Sequence, residues 1–156
     1  MTPDRMEQGP ARLMAGLRRF HEMASAGQTI GPQWEDFADL CPIPNAIEGA
    51  AYGINCQYDM QGGKFEYMTA VEVSAFPGEE KYDRLRMESA LYAVFVHPGP
   101  VMGIGDTWTG IFRDWLPSSD YVAHEVPCYE RYGPGYDVEK GEGDIEIWFP
   151  VLKKPA

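Results

Sequence analysis

Glu130 is the side chain in this sequence whose type and position are best suited to binding or catalysis. The segment 122–132 alternates apolar and polar residues with a period of two, which predicts a strand with one buried face. Glu130 falls on the apolar face with Cys128 and Tyr132, where a carboxylate is costly to desolvate unless a cation or a hydrogen-bond donor meets it. It is therefore a candidate functional group, although an inward acid can also be structural, paired with an Arg or a backbone donor. A bulge at Pro127 would reverse the parity of the residues that follow it.

Aromatic side chains are candidates for the walls of a site around this acid. Trp148 alternates with the apolar residues of its own predicted strand, on the face of Asp144 and Glu146, which is typical of a rim residue, a pocket wall or an association contact. An acid among tyrosines and tryptophans suits a large, flat organic cation, because each cation–π contact contributes about 0.5–2 kcal/mol and the carboxylate supplies the opposite charge. The predicted ligand-binding residues are Glu130, Tyr67, Tyr92, Trp108, Phe112 and Trp148.

Other catalytic and metal-binding chemistry is not indicated by the motifs of the sequence. There is no nucleophile elbow, phosphate-binding loop or H-E-x-x-H, and the segment 103–105 lacks the third glycine of a dinucleotide fingerprint. His97 precedes Pro-Gly and is predicted to be a turn histidine. Cys41, Cys56 and Cys128 lack metal-binding spacing and are predicted to be buried free thiols of a reducing compartment. We therefore expect no metal and no cofactor.

The charge balance limits the classes of partner. The 156 residues carry a formal net charge of −11, which argues against direct nucleic-acid binding because phosphate contacts need clusters of Lys and Arg. The same charge would concentrate cationic ligands near the surface. No apolar run approaches the length of a membrane span, and no signal peptide is visible at the start. A cytoplasmic protein without a membrane partner is expected.

The sequence contains an internal repeat at an offset of 74 residues. The segment Ile30-Gly31-Pro32-Gln33-Trp34 returns as Ile104-Gly105-Asp106-Thr107-Trp108. The matched apolar positions follow i, i+4, i+7, i+8 and i+11, which predicts a helix with one buried face in each half. These positions are Ile30, Trp34, Phe37, Ala38 and Cys41 in the first half, and Ile104, Trp108, Ile111, Phe112 and Trp115 in the second.

Strand patterns surround each predicted helix. In the first half they cover about 12–20, 51–58 and 65–73, with a hairpin loop at 59–64, and in the second half about 91–97, 122–132 and 144–152. The linker at 74–88 contains a possible short strand at 85–87. We expect a single domain over 1–156, with a first half at about 10–75 and a second at about 89–152.

The predicted fold class follows from this order of elements. Each half reads as strand, helix, strand, strand, so the chain is predicted to be α+β, with duplicated units related by pseudo-twofold symmetry. Antiparallel sheets would carry two main helices, and a ligand pocket is expected at the seam between the halves.

Several motifs taken in order resemble those of a known family. They are Trp34-Glu35-Asp36-Phe37, Tyr52-Gly53-Ile54, Phe65-Glu66-Tyr67-Met68, Tyr92-Ala93-Val94-Phe95-Val96-His97-Pro98-Gly99, Trp115-Leu116-Pro117, Pro127-Cys128-Tyr129-Glu130-Arg131-Tyr132 and Ile145-Glu146-Ile147-Trp148-Phe149-Pro150-Val151. From about Arg12 to Leu152 the chain resembles the GyrI-like small-molecule-binding domains, also called bacterial transcription activator effector-binding domains.

The resemblance implies an aromatic-lined pocket with a central glutamate, which maps onto Glu130 through the P-x-x-E-x-Y pattern. Family members act as drug-sensing domains of transcription regulators, as stand-alone binders of cationic compounds, as a DNA gyrase inhibitor and, in some branches, as hydrolases of cyclopropane-bearing genotoxins. This sequence contains no helix-turn-helix pattern, and residues 1–9 are too few to supply one. A stand-alone form is therefore expected.

Three functions remain open from the sequence. The leading hypothesis is a stand-alone binding module for amphipathic, cationic aromatic molecules, of the multidrug-recognition kind, with a homodimer as a candidate assembly. The second is a hydrolase of strained electrophiles that uses Glu130, since burial favours the protonated form of a carboxyl group and allows acid–base catalysis near neutrality. The third is inhibition of DNA gyrase, in which the acidic surface competes with DNA for a basic groove.

Overall fold

The computed structural model describes residues 1–156, which fold as two compact units. The first-half unit comprises Ala11–Glu88, and the second-half unit comprises Ser89–Ala156 together with Met1–Pro10. In chain order the elements are β1 (Arg5–Gly9), β2 (Arg12–Glu22), α1 (Ala26–Leu40), β3 (Ala51–Asp59), β4 (Lys64–Val73), β5 (Asp83–Met87), β6 (Ala90–Val96), α2 (Ile104–Gly110), a π-helical turn (Ile111–Trp115), α3 (Leu116–Ser118), β7 (Tyr121–Ala123), β8 (Cys128–Tyr132) and β9 (Ile145–Lys153).

The sheets of the two units have the same strand order. The first-half sheet is β3-β4-β2-β5 and the second-half sheet is β8-β9-β6-β1, with every neighbouring pair antiparallel. Each unit is thus strand, helix, strand, strand with an added edge strand, and the second-half unit also has the short strand β7, paired with β9. The predicted α+β class with duplicated units is confirmed. The edge strands differ in origin. β5 confirms the short strand predicted at 85–87, whereas β1, where no strand is predicted from the sequence, comes from the start of the chain.

The strand predicted over 122–132 is wrong, because the chain forms two short strands there. β7 pairs with the far end of β9, and β8 pairs with its beginning. Between them the Val126 N–H donates to the His124 carbonyl oxygen in a tight turn, and Pro127 has no N–H to continue a ladder. Within β8 the alternation holds, so Cys128, Glu130 and Tyr132 share a face.

The first helix buries a narrower face than its apolar stripe predicts. Phe37 packs into the first-half core, but Ala38 and Cys41 are exposed, and the helix ends at Leu40 before Cys41 adopts an extended backbone. The fully buried helical side chain is a polar one, Gln33, whose amide N–H groups donate to the carbonyl oxygens of Leu17 and Tyr67. The predicted burial of all three thiols is also wrong, since Cys41 is exposed, Cys56 is half-buried and only Cys128 is buried.

The second predicted helix runs from Ile104 to Ser118 with a π-helical turn inside it. Ile111 and Trp115 are buried as the stripe predicts, whereas Phe112 is 47% exposed. A π turn adds a residue to the helical repeat and is often found at functional sites. No helix in the structure combines the length and the apolar character needed to cross a membrane.

Each unit ties the end of the strand that precedes its helix to that helix with a buried histidine. His21 follows this pattern in the first-half unit, with Nε2 2.5 Å from the Gln33 Oε1 and Nδ1 2.7 Å from the Thr29 hydroxyl. His97 repeats it in the second-half unit, where Nε2 donates to the Pro100 carbonyl oxygen at 2.7 Å and Nδ1 lies 2.8 Å from the Thr107 hydroxyl. His97 is thus a buried, hydrogen-bonded structural histidine at the turn.

Substituting Gly16 with alanine is expected to destabilise the protein strongly. A Cβ at this position of β2 would lie 1.9 Å from the Thr69 carbonyl oxygen, so the paired strands would have to separate. We expect Gly16→Ala to lower the free energy of unfolding by about 3 kcal/mol, as measured by urea denaturation. Gly27→Ala is the control, because a Cβ there in α1 meets nothing within 4 Å, and it should raise the free energy of unfolding by about 0.5–1 kcal/mol. An unchanged denaturation midpoint for Gly16→Ala would contradict this account.

Candidate binding site

Glu130 lies in the middle of β8, directly opposite Ile147 of β9. Directly paired residues of antiparallel strands share a face, so Glu130 lies on the same side of the sheet as the second-half core that contains Ile147, Phe149 and Ile111. Its side chain is 7% exposed. The alternation in the sequence therefore predicts its burial correctly, even though the strand is shorter than expected.

Two neutral donors hold the Glu130 carboxylate in place. The Trp108 indole N–H donates to Oε2 at 2.9 Å, and the Tyr132 hydroxyl donates to Oε1 at 2.8 Å. Trp108 comes from α2, which packs over this face, and Tyr132 lies two residues further along β8. These hydrogen bonds offset part of the cost of desolvating the carboxylate, and neither donor carries a formal charge.

An accessible aromatic surface adjoins the carboxylate. The ring of Phe112 stacks on Trp108 with centroids 6.3 Å apart and meets the edge of Phe149 at 5.1 Å. Because Phe112 is one helical turn from Trp108 and 47% exposed, the aromatic surface extends from the buried acid to solvent. Trp108, Phe112 and Glu130 are the predicted site residues that the structure brings together.

Two aromatic residues near this acid were not among the predicted site residues. Tyr132 holds Glu130 directly, and the i, i+2 spacing within P-x-x-E-x-Y is the signal that could have identified it. The ring of Tyr136 lies 5.0 Å from that of Tyr132 at an interplanar angle of 67°. Tyr136 belongs to the loop between β8 and β9, where strand periodicity gives no information.

Tyr92 and Trp148, both predicted to line the site, lie on the opposite face of the sheet from Glu130. Trp148 is paired with Tyr129, the neighbour of Glu130 in β8, and their rings stack 5.5 Å apart. Tyr92 meets both rings edge-on, each at 5.4 Å. All three are almost fully buried, with Trp148 only 3% exposed. The pleat, which sends consecutive side chains to opposite faces, separates them from the acid.

The cation beside Trp148 is the protein's own Arg5. Its guanidinium lies 5.5 Å from the centre of the Trp148 ring, and its Nη1 donates to a Glu146 carboxylate oxygen at 2.9 Å. The Trp148 indole N–H donates to the other Glu146 oxygen at 3.1 Å. Trp148 therefore has an internal packing role, anchoring β1 to β9, that is not among the three interpretations proposed for it from the sequence. Its role in ligand binding stays a prediction.

Tyr67 lies in the first-half unit, in the centre of β4. It is almost fully buried and makes edge contacts with His21 and Phe65 on the side of the sheet that α1 covers. Its role in ligand binding stays a prediction. The structure contains no group of three or more His, Cys, Asp or Glu side chains arranged to hold a metal ion.

The contacts among Arg5, Glu146 and Trp148 make the stability of the fold depend on pH. Burial alone would raise the pKa of Glu146, but hydrogen bonds from Arg5 and Trp148, with the charges of Arg5 and Arg131, lower it below its ordinary value. A carboxyl group with a lowered pKa stabilises the folded state above its unfolded pKa, and this stabilisation is lost as the pH falls. We therefore expect the stability difference between wild type and Glu146→Gln to shrink as the pH falls from about 5 to about 3.

The measurement is urea denaturation of both proteins across this pH range. Glu125→Gln is the control, because Glu125 is exposed and its substitution should change the free energy of unfolding by less than about 0.5 kcal/mol. A wild-type advantage over Glu146→Gln that stays constant down to about pH 3 would rule out the proposed linkage.

The chain is similar in sequence to small-molecule-binding and regulatory proteins. A model of the family described as GyrI-like small molecule binding domain matches residues 5–152. The transcriptional regulator BrlR of Pseudomonas aeruginosa is 31% identical over 157 aligned residues, which cover 94% of this chain and 54% of BrlR. A DNA gyrase inhibitor of Erwinia billingiae is 44% identical over 46 residues, or 30% of this chain and 29% of that protein. The chain thus spans about half the length of BrlR, and the gyrase inhibitor match is partial.

A solved structure shares the fold. SAV2435, determined bound to tetraphenylphosphonium, matches with a TM-score of 0.76 and 24% sequence identity, over 95% of this chain and 93% of SAV2435. At this level of identity the likeness establishes a common architecture. The family match, over residues 5–152, and the structural match, over 95% of the chain, both extend over nearly the whole sequence.

Proposed function

Because the chain belongs to the family of GyrI-like small-molecule-binding domains, as its sequence motifs suggested, we propose that the Glu130 face of β8 binds a bulky aromatic cation. The observation that carries this proposal is the buried Glu130 carboxylate, oriented by two neutral donors and adjoined by exposed aromatic surface. Glu130 supplies the counter-charge, and Trp108 and Phe112 supply ring faces.

Charge complementarity favours a cation over a neutral ligand of the same shape. The carboxylate lies in a largely apolar environment, where the effective dielectric constant is lower than in water and a cation is attracted more strongly. The hydrogen bonds from Trp108 and Tyr132 hold both oxygens in position before the ligand arrives, so little ordering is needed on binding. The net charge of −11 adds a favourable field over the whole surface.

The aromatic surface favours ligands with rings. A cation over the face of Trp108 or Phe112 gains about 0.5–2 kcal/mol per contact, and aromatic pairs gain about 0.5–1.5 kcal/mol beyond area burial. The partial exposure of Phe112 gives a ligand a surface to contact before it reaches the acid. Large lipophilic cations satisfy both requirements. The tetraphenylphosphonium bound by SAV2435 is a cation of this class, which supports the proposal and supplies a probe.

Titration with tetraphenylphosphonium tests the proposal. We expect binding with a dissociation constant of about 1–100 μM, measured by isothermal titration calorimetry. Glu130→Gln keeps the shape of the side chain and removes its charge, so it should weaken binding at least about tenfold. Trp108→Phe keeps a ring but removes the indole N–H, so its effect should be smaller than that of Glu130→Gln.

Glu125→Gln is the matched control, because it removes one negative charge at an exposed position. It should change the dissociation constant less than about twofold at physiological salt, where exposed charges are screened. Equal affinities for wild type and Glu130→Gln, with both proteins folded by circular dichroism, would refute the role of Glu130 as counter-charge.

A further inference from the structure

We propose that Tyr136 is a specificity-determining wall of the Glu130 site and that Asp144 positions it. This inference rests on the function proposed above and adds the feature that selects among cations. Tyr136 lies in the loop 133–143 between β8 and β9, outside every strand and helix.

Tyr136 packs against the tyrosine that holds Glu130, in a loop whose far end is bonded to the turn before α2. Its ring meets the ring of Tyr132, whose hydroxyl donates to the carboxylate. Its hydroxyl lies close to Gly141, 3.9 Å from where a Cβ on that residue would be. The Gly141 carbonyl oxygen accepts a hydrogen bond from the Val101 N–H at 2.7 Å. Val101 begins the turn that leads into α2, which carries Trp108. The ring is thus one aromatic side chain away from the acid.

The side chain of Tyr136 is half-buried and neutral. Burial, together with the charge of Asp137, raises the pKa of its hydroxyl, so the phenol stays protonated at physiological pH. A neutral, partly exposed ring held at the edge of a carboxylate site offers contact area to an aromatic ligand and no charge of its own. It therefore distinguishes ligands by size and by the presence of rings.

Asp144, at the end of the loop, accepts hydrogen bonds from the backbone at the start of the loop. Its backbone has φ of +52°, a conformation uncommon for a residue with a side chain. The Asp144 carbonyl oxygen accepts from the Gly133 N–H at 2.9 Å, and its Oδ2 accepts from the Gly135 N–H at 3.0 Å. A Cβ on Gly133 would lie only 2.1 Å from Oδ2, so glycine is required for this approach.

This arrangement sets the position of Tyr136. The Tyr136 N–H donates to the Gly133 carbonyl oxygen at 3.0 Å, directly after the segment that Asp144 holds. The Asp144 carboxylate and the Tyr136 backbone are therefore parts of one hydrogen-bonded turn, which fixes the tyrosine ring against Tyr132. Asp144 acts through this turn and is a positioning residue.

Selectivity between two cations of equal charge tests the inference. Tetraphenylphosphonium has rings that reach beyond the acid, whereas tetraethylammonium is compact and aliphatic. We expect Tyr136→Ala to weaken tetraphenylphosphonium binding about threefold to tenfold and to change tetraethylammonium binding, measured by competition, less than about twofold. Tyr136→Phe keeps the ring and should behave as wild type. Val138→Ala is the control in the same loop, because Val138 is 82% exposed.

The role of Asp144 is tested through the ratio of the dissociation constant for tetraethylammonium to that for tetraphenylphosphonium, which measures selectivity. Asp144→Ala should reduce selectivity as Tyr136→Ala does, and the double variant should lose no more than either single one, because both act through one ring. Asp144→Asn, which can still accept from the Gly135 N–H, should retain at least part of the selectivity. Additive losses in the double variant would overturn the positioning role.

The outcomes separate this inference from the proposed function. If Glu130→Gln loses affinity while Tyr136→Ala keeps the wild-type ratio, the inference is wrong and the proposed function stands. If Tyr136→Ala changes the ratio while Glu130→Gln binds as wild type does, Tyr136 is a wall of the site and the proposed role of Glu130 as counter-charge is wrong. If neither variant differs from wild type, both proposals fall.

Discussion

The burial of one carboxylate, that of Glu130, is the constraint around which the second-half unit is arranged. Its two oxygens need hydrogen-bond donors, and the unit supplies them from Trp108 in the helix and Tyr132 in the strand. The helix packs with Trp108 directed at Glu130 of β8, and Ile111 and Trp115 of the same helical segment lie in the core. Phe112 is left at the margin, so the interaction that satisfies the acid also creates the aromatic surface beside it.

The two faces of the β8–β9 pair carry different sets of side chains. One face carries Glu130 opposite Ile147, and the other carries Tyr129 opposite Trp148. On the second face Arg5 of β1, the edge strand paired with β6, contacts Glu146 and the Trp148 ring. Aromatic rings and an acid thus lie together on both faces. On the second face they surround Arg5, which has a structural role there.

The repeated halves share a frame and differ at the polar groups inside it. Both units place a buried histidine between the helix and the strand that precedes it. In the first-half unit the buried polar side chain on the helix is Gln33, which donates to backbone carbonyl oxygens. At the repeat offset the counterpart of Glu130 is Cys56, which lies where the pairing of β3 with β4 shifts register between Asn55 and Gln57. The buried Glu130 carboxylate is therefore a feature of one half, built on a frame common to both.

The sequence by itself determined the class of fold, the repeat and the burial of Glu130. These features follow from local periodicity, which is encoded in neighbouring residues: period two places Glu130 with Tyr132, and period 3.6 places Trp108 with Phe112. Only the tertiary structure decided which aromatic residues accompany the acid. The pleat and the register of β9 carried Tyr92 and Trp148 to the other face, against Arg5 from the start of the chain. Tyr136 joined Tyr132 through a loop whose path depends on Asp144 and two glycines. Such contacts arise between residues distant in sequence or in irregular segments, where no periodic pattern records them.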